Sequence, residues 1–151
     1  MSSQSTVSSQ MTRGATIVTD STGRDVKSWV DASRYDLETA RALLESRRYL
    51  YVLFMCQQSL EKLLKAHLTR RTAAFPPRIH SLRRLAELAG LEFSQDDKAL
   101  LERLSLYYLQ SRYPPEIQAL AKKITRSAAV TYMAQTEALW KRLRQQLTRN
   151  K

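Results

Sequence analysis

Three features of the chain predict an all-α fold, an up-and-down bundle of about five helices. Glycine and proline are scarce, three and four in 151 residues, so the chain holds few obligatory breaks and favours long helices joined by short connections. Apolar residues recur at helical spacing through most of the chain beyond residue 25. The stretch 49–71, Tyr-Leu-Tyr-Val-Leu-Phe-Met-Cys-Gln-Gln-Ser-Leu-Glu-Lys-Leu-Leu-Lys-Ala-His-Leu-Thr-Arg-Arg, is apolar on all sides for its first eight residues. Such a helix belongs inside a bundle or under a partner subunit. A polar stripe then opens at Gln57, Gln58, Glu61, Lys62 and Lys65, as expected where a helix leaves the core. The apolar run is far too short to cross a bilayer, so no membrane association is expected.

Residues 1–24 are rich in Ser and Thr and lack apolar periodicity, which predicts a flexible N-terminal segment. Within it only 15–19, Ala-Thr-Ile-Val-Thr, has strand character. Residues 25–151 form the predicted helical domain. Its first helix places Val26, Trp29, Val30, Leu37, Ala40, Leu43 and Leu44 on one face, with the small Ser33 suiting a close helix crossing. Ser46-Arg47-Arg48 closes that helix, and so short a connection makes the next helix antiparallel to it. Phe75-Pro76-Pro77 breaks the chain, because proline lacks the amide donor and disfavours helix before it.

A short third helix is expected from about Ser81, with Leu82, Leu85, Ala86 and Leu88 inward and Gly90 ending it. Ser94, with Asp97 three positions on, reads as the N-cap of a fourth helix through Leu100, Leu101, Leu104 and Tyr108. After Ser111-Arg112-Tyr113-Pro114-Pro115, a fifth helix carries Ile117, Leu120, Ile124, Ala128, Tyr132, Leu139, Leu143 and Leu147. Thr125 or Ser127 is its alternative start.

The 25 basic and 14 acidic residues leave a net charge of +11, which raises the question of polyanionic partners. Eight of the basic residues fall between Glu116 and Lys151, against two acidic ones. A solvated basic face and an RNA-binding surface are both compatible with this. The single cysteine, Cys56, excludes a disulfide within the chain, and no Cys/His set suits zinc. With no cationic, apolar leader at its start, the chain is expected to be cytoplasmic. No glycine-rich phosphate loop and no paired catalytic carboxylates occur, which sets aside ordinary nucleotide hydrolases and kinases. No cofactor or metal is expected.

Several pieces line up in order along the chain. Asp36-Leu37-Glu38-Thr39-Ala40 precedes Leu43-Leu44, and Gln57-Gln58-Ser59-Leu60-Glu61-Lys62-Leu63-Leu64-Lys65-Ala66 follows the connection. His80-Ser81-Leu82 stands beyond the proline break, and Tyr107-Tyr108 precedes Ser111-Arg112-Tyr113-Pro114. Together they resemble the HEPN domain (higher eukaryotes and prokaryotes nucleotide-binding) over residues 26–147. The resemblance implies a helical bundle that usually pairs with itself and is often encoded beside a minimal nucleotidyltransferase, the HEPN member being the toxin and its partner the antitoxin. It also implies, for many members, metal-independent ribonuclease activity carried by Arg-x(4–6)-His. Here no arginine stands five to seven positions before His67 or His80, so the sequence departs from that pattern.

Metal-free cleavage of RNA requires a group that exchanges protons near neutrality and a cation on the phosphate, roles suited to histidine and arginine. The candidate catalytic pair is therefore His80 with Arg112. Candidate nucleotide or RNA contacts are Gln58, Glu61, Lys62, Lys65 and Tyr113, with a phosphate clamp of Arg112, Lys62 and Lys65 as the sharper reading. An Arg112–Glu61 salt bridge is the plainer one. His80 alternatively caps its helix, and His67 reads as a partly exposed neighbour of Arg70 and Arg71. Tyr49, Tyr51 and Tyr132 read as core. Trp140 suits RNA, an acidic protein surface or a dimer contact. Two functions stay open: a toxin-type, RNA-directed homodimer with a nucleotidyltransferase partner, or a non-catalytic nucleotide- or RNA-binding or scaffolding subunit of a larger complex.

Overall fold

The structure, a computed structural model, describes residues 20–149. The short strand-like stretch at 15–19 lies outside the described residues. Among the described residues six α-helices follow one another: α1 (Asp20–Glu45), α2 (Tyr49–Thr72), α3 (Leu82–Leu88), α4 (Gln95–Gln110), α5 (Pro114–Lys123) and α6 (Arg126–Arg149). No strand occurs among the described residues, so the all-α bundle stands, with one helix more than the sequence suggests.

α1 begins at Asp20, within the segment read from sequence as flexible. Thr22, four residues before Val26, is buried on the same face and extends the stripe by a turn. A polar residue on the inner face is invisible to a search for apolar periodicity. Arg47 turns the chain through the left-handed region (φ 64°). That turn returns α2 antiparallel to α1, and this pair makes the most extensive helix contact in the molecule.

α2 runs through the centre, packed against α1, α3, α4 and α6. Leu53, Leu60, Leu63 and Leu64 are completely buried, with Leu82 and Leu85 of α3, Leu101 and Leu104 of α4, and Leu143 of α6 closing around them. The apolar character of the first half of α2 is thus largely satisfied within one subunit. Tyr51 is the exception, 44% exposed rather than core, while Tyr49 and Tyr132 are half-buried.

Local chemistry accounts for the helix ends. The Ser81 hydroxyl accepts from the Arg84 amide and starts α3, and Ser94 accepts from the Asp97 amide and starts α4. Gly90 adopts φ 71° after α3. A Cβ there would lie 2.0 Å from Arg71 Nη1, a group that donates to the Ala89 carbonyl at 3.1 Å. Glycine therefore both ends α3 and admits an arginine from α2. Pro114 and Pro115 open α5, where missing amides cost nothing. The chain leaves the helix at Ile124, and Thr125 Oγ1 caps α6 by accepting from the Ala128 amide. This break splits the expected fifth helix in two. α5 has no buried residue and touches mainly α2.

Two side chains read from sequence as surface candidates prove structural. Trp140 is buried, donates Nε1–H to Ser33 Oγ at 3.1 Å, and lies under the Arg34 guanidinium. His67 is buried rather than partly exposed, and its Nε2–H donates to the Leu143 carbonyl at 2.9 Å. Burial pushes the His67 pKa below its ordinary value, and the bond to Leu143 opposes that only partly.

In the interval between the folded and unfolded His67 pKa values the unfolded chain holds the extra proton. Stability is therefore complete above about pH 6.5 and falls as the pH drops below it. Urea midpoints at pH 7.5 and 5.5 are expected to differ more for the native chain than for His67→Gln. Equal differences in the two proteins would refute this role.

Candidate functional site

The half of α2 that follows Cys56 carries an unusual inward load of polar groups. Gln57, Ser59, Glu61 and Lys65 are all buried. The polar stripe read from sequence therefore does not mark a helix leaving the core. It forms a hydrogen-bonded network inside it, centred on the Glu61 carboxylate. Gln57 Nε2 donates to Glu61 Oε1 at 2.9 Å and to the His80 carbonyl at 3.0 Å. Gln58 Nε2 donates to Gln57 Oε1 at 2.8 Å. Lys65 Nζ binds Glu61 Oε2 at 2.9 Å, one helical turn on, and lies over the Trp29 ring. A buried carboxylate is tolerable only when its lone pairs are met in this way.

The last partner of Glu61 is His80, whose Nδ1 lies 3.1 Å from both carboxylate oxygens. A carboxylate accepts, so Nδ1 carries the proton. In the neutral ring this leaves Nε2 as a lone-pair base. The Glu61 side chain is 6% exposed and that of His80 is 44% exposed. The dyad thus runs from the core to solvent. Its position depends on the proline break: Phe75-Pro76-Pro77 carries the chain back so that His80, just before the Ser81 cap, meets the middle of α2.

Tyr108 of α4 is the second organising group. Phe54 stacks on it with ring centroids 5.2 Å apart, the His80 ring lies 5.2 Å away, and the Arg112 guanidinium sits 5.8 Å from its centroid. His80 and Arg112 are 32 residues apart in sequence and both rest against one tyrosine. Arg112 is exposed at the end of α4. It does not reach Glu61, whose oxygens are taken by Gln57, Lys65 and His80, and its contact is the cation–π one.

A groove of about 760 Å³ between α3 and α4 opens at His80. Arg83, Arg84 and Ser81 line one wall, and Ser105, Tyr108 and Leu109 the other. Arg83 pairs with Glu102 at 3.2 Å and Arg84 with Glu87 at 3.5 Å. Both pairs are well exposed, so each is weak and open to exchange for a phosphate.

The other sequence candidates divide. Lys62 Nζ is paired with Asp36 of α1 at 2.7 Å, and Lys65 is buried against Glu61. The clamp of Arg112, Lys62 and Lys65 is therefore not assembled. Gln58 supports Gln57, and Glu61 orients His80. Tyr113 is 64% exposed beside Arg112, at the N-cap of α5. The groove residues Arg83, Arg84 and Ser105 escape a reading by sequence because their only signal is proximity across helices. Among the described residues no cluster of His, Cys, Asp and Glu could hold a metal, and no helix is long and apolar enough to cross a membrane.

Comparison with known proteins agrees with this architecture. The crystal structure of TT1696 from Thermus thermophilus is similar to it, with a TM-score of 0.67 and 24% sequence identity over 80% of this chain and 96% of that one. That likeness speaks to the fold alone. No curated protein matches. The HEPN domain model matches residues 26–146, a span that holds the central network, His80 and Arg112. The chain belongs to the HEPN domain family.

Proposed function

We propose that this protein is the toxin-type, RNA-directed member of a toxin–antitoxin pair, a metal-independent endoribonuclease acting from the His80–Arg112 surface with a nucleotidyltransferase as its antitoxin. Membership of the HEPN family supports a role in nucleotide or RNA chemistry, and the pairing with a nucleotidyltransferase rests on that membership. The observation that carries the chemistry is the Glu61–His80 dyad, in which a buried carboxylate holds Nδ1–H of a half-exposed imidazole.

In this reading His80 Nε2 takes the proton of a ribose 2′-hydroxyl. The 2′-oxygen attacks the adjacent phosphorus, the P–O5′ bond breaks, and the proton passes to the departing 5′-oxygen. The products are a 2′,3′-cyclic phosphate and a 5′-hydroxyl. Arg112 contacts the phosphate oxygens as charge grows on them, and Arg83 and Arg84 hold neighbouring phosphates along the groove. Glu61 keeps the imidazole in the tautomer that leaves Nε2 unprotonated. No step uses a metal.

Self-association completes the proposal. Tyr51, Leu106, Leu109 and Tyr113 are large apolar or aromatic side chains exposed around the dyad, and Phe54 is half-buried among them. Pairing of two copies here would cover this surface and bring two His80–Arg112 sets together. Leu109→Asp is expected to give a folded monomer by sedimentation. A dimer that persists in that variant would place self-pairing elsewhere.

The deciding experiment is cleavage of RNA in excess EDTA by the native chain and by Arg112→Ala. Cleavage to cyclic-phosphate ends, much reduced in the variant, is expected. Folded protein that binds RNA with steep salt dependence yet never cleaves it would favour the non-catalytic subunit instead.

A further inference from the structure

At the other end of α2, the first turns of α1 and the last turns of α6 enclose a second cavity of about 800 Å³. Its floor is apolar, formed by Val26, Val30 and Leu147. Among the described residues its walls carry four cations, Lys27, Arg34, Arg70 and Arg144, and one carboxylate, Asp31. That carboxylate is already engaged by Lys27 at 2.7 Å and by Arg34 at 3.4 Å. The bond from Lys27, aided by the charges of Lys27, Arg34 and Arg144, holds Asp31 below the usual carboxylate range.

Two of the guanidiniums lack an acidic partner among the described residues. Arg70 Nη1 donates to the Leu147 carbonyl. Arg144 Nη1 donates to Thr148 Oγ1 at 2.7 Å, while its Nε–H is buried with no acceptor among those residues. Elsewhere Arg41, Arg83 and Arg142 each face a carboxylate. A buried, unmet N–H on an arginine is unfavourable until an oxygen reaches it.

We propose that this cavity binds a small organic phosphate, a phosphomonoester dianion held by Arg34, Arg70 and Arg144 with an apolar or aryl body on Val26, Val30 and Leu147. The forked donors of arginine match phosphate oxygens in pairs, and four cations against one satisfied carboxylate suit a dianion better than a monoanion. The volume is that of a small-molecule site rather than of an extended nucleic-acid track. Gly23 lines the cavity in the first turn of α1, where a Cβ would meet nothing within 4 Å. The site is independent of the RNA-directed one, since Arg70 lies nine residues beyond Glu61, about 13 Å of helix rise.

The test is calorimetric titration of the full chain at low salt with phenyl phosphate, inorganic phosphate and phenol. Phenyl phosphate is expected to bind at least about tenfold more tightly than either half-molecule, as an anion site on an apolar floor requires. Arg34→Gln and Arg144→Gln are each expected to weaken it by about tenfold or more, the loss of a charge-assisted pair. Because either variant could disturb α6, Arg144→Lys is measured beside them. It keeps the charge, loses the fork, and is expected to bind with intermediate affinity in a fully helical protein. His80→Ala is expected to bind normally, which separates this site from the groove. The proposal is overturned if phenyl phosphate gives no saturable heat, if phenol binds as well, or if affinity survives in both glutamine variants.

Discussion

Replacing His80 with alanine is expected to lower the rate of RNA cleavage by about 10²–10⁴-fold, the usual contribution of a positioned general base. The loss should fall on kcat, because the ring lines the groove without supplying its positive charge. Arg112→Ala is expected to raise KM as well, since the guanidinium is the exposed cation on the same tyrosine. Glu61→Gln separates orientation from proton transfer. His80 keeps its own Nε2 in that variant, yet it loses the carboxylate that places the proton on Nδ1. Its residual activity should exceed that of His80→Ala. Single-turnover cleavage of a short RNA in EDTA measures all three. Undiminished cleavage by His80→Ala would remove the dyad from the chemistry.

Lys65→Ala is expected to destabilise the fold by about 3–5 kcal/mol, as breaking a buried pair from one side does. The Lys65 and Glu61 side chains are only 9% and 6% exposed, so water cannot take over the charge neutralisation that Lys65 gives the carboxylate. Lys27→Ala breaks a pair whose side chains are 75% and 49% exposed, and its expected cost is at most about 1 kcal/mol. Guanidinium unfolding of the two variants beside the native chain gives the comparison. Similar small losses in both would mean that Glu61 does not depend on Lys65. The contrast matters for function, because the carboxylate that Lys65 neutralises is the one that orients His80. Its polar network serves both purposes.

The two ends of α2 show how far sequence reasoning reaches. Val52, Leu53 and Cys56 are apolar and buried, as their run predicts. Gln57, Glu61 and Lys65 are polar and equally buried, because each satisfies another across one turn or across the proline break. Periodicity reports polarity, and polarity reports burial only when no partner waits inside. Trp140 fails in the opposite direction. It stands beside the basic Lys141 and Arg142 in sequence, but the next residue on a helix points elsewhere, and its ring packs inward onto Ser33.

By itself the sequence determined that the protein is helical, that the chain turns at the proline pairs and at Gly90 and caps at Ser81 and Ser94, that a central helix organises the bundle, and which family it resembles. These depend on interactions within a few residues: apolar spacing, proline's missing amide, the hydroxyls of Ser81 and Ser94, and Gly90 at positive φ. Only the tertiary structure decided that Lys62 and Lys65 are already paired, that Glu61 holds His80, and that His80 and Arg112 share Tyr108. It also decided that α5 and α6 are separate helices, and that arginines from α1, α2 and α6 surround one cavity. These are pairings between distant segments. Which carboxylate meets which cation depends on how helices cross, and that geometry is set by the packing of the whole core.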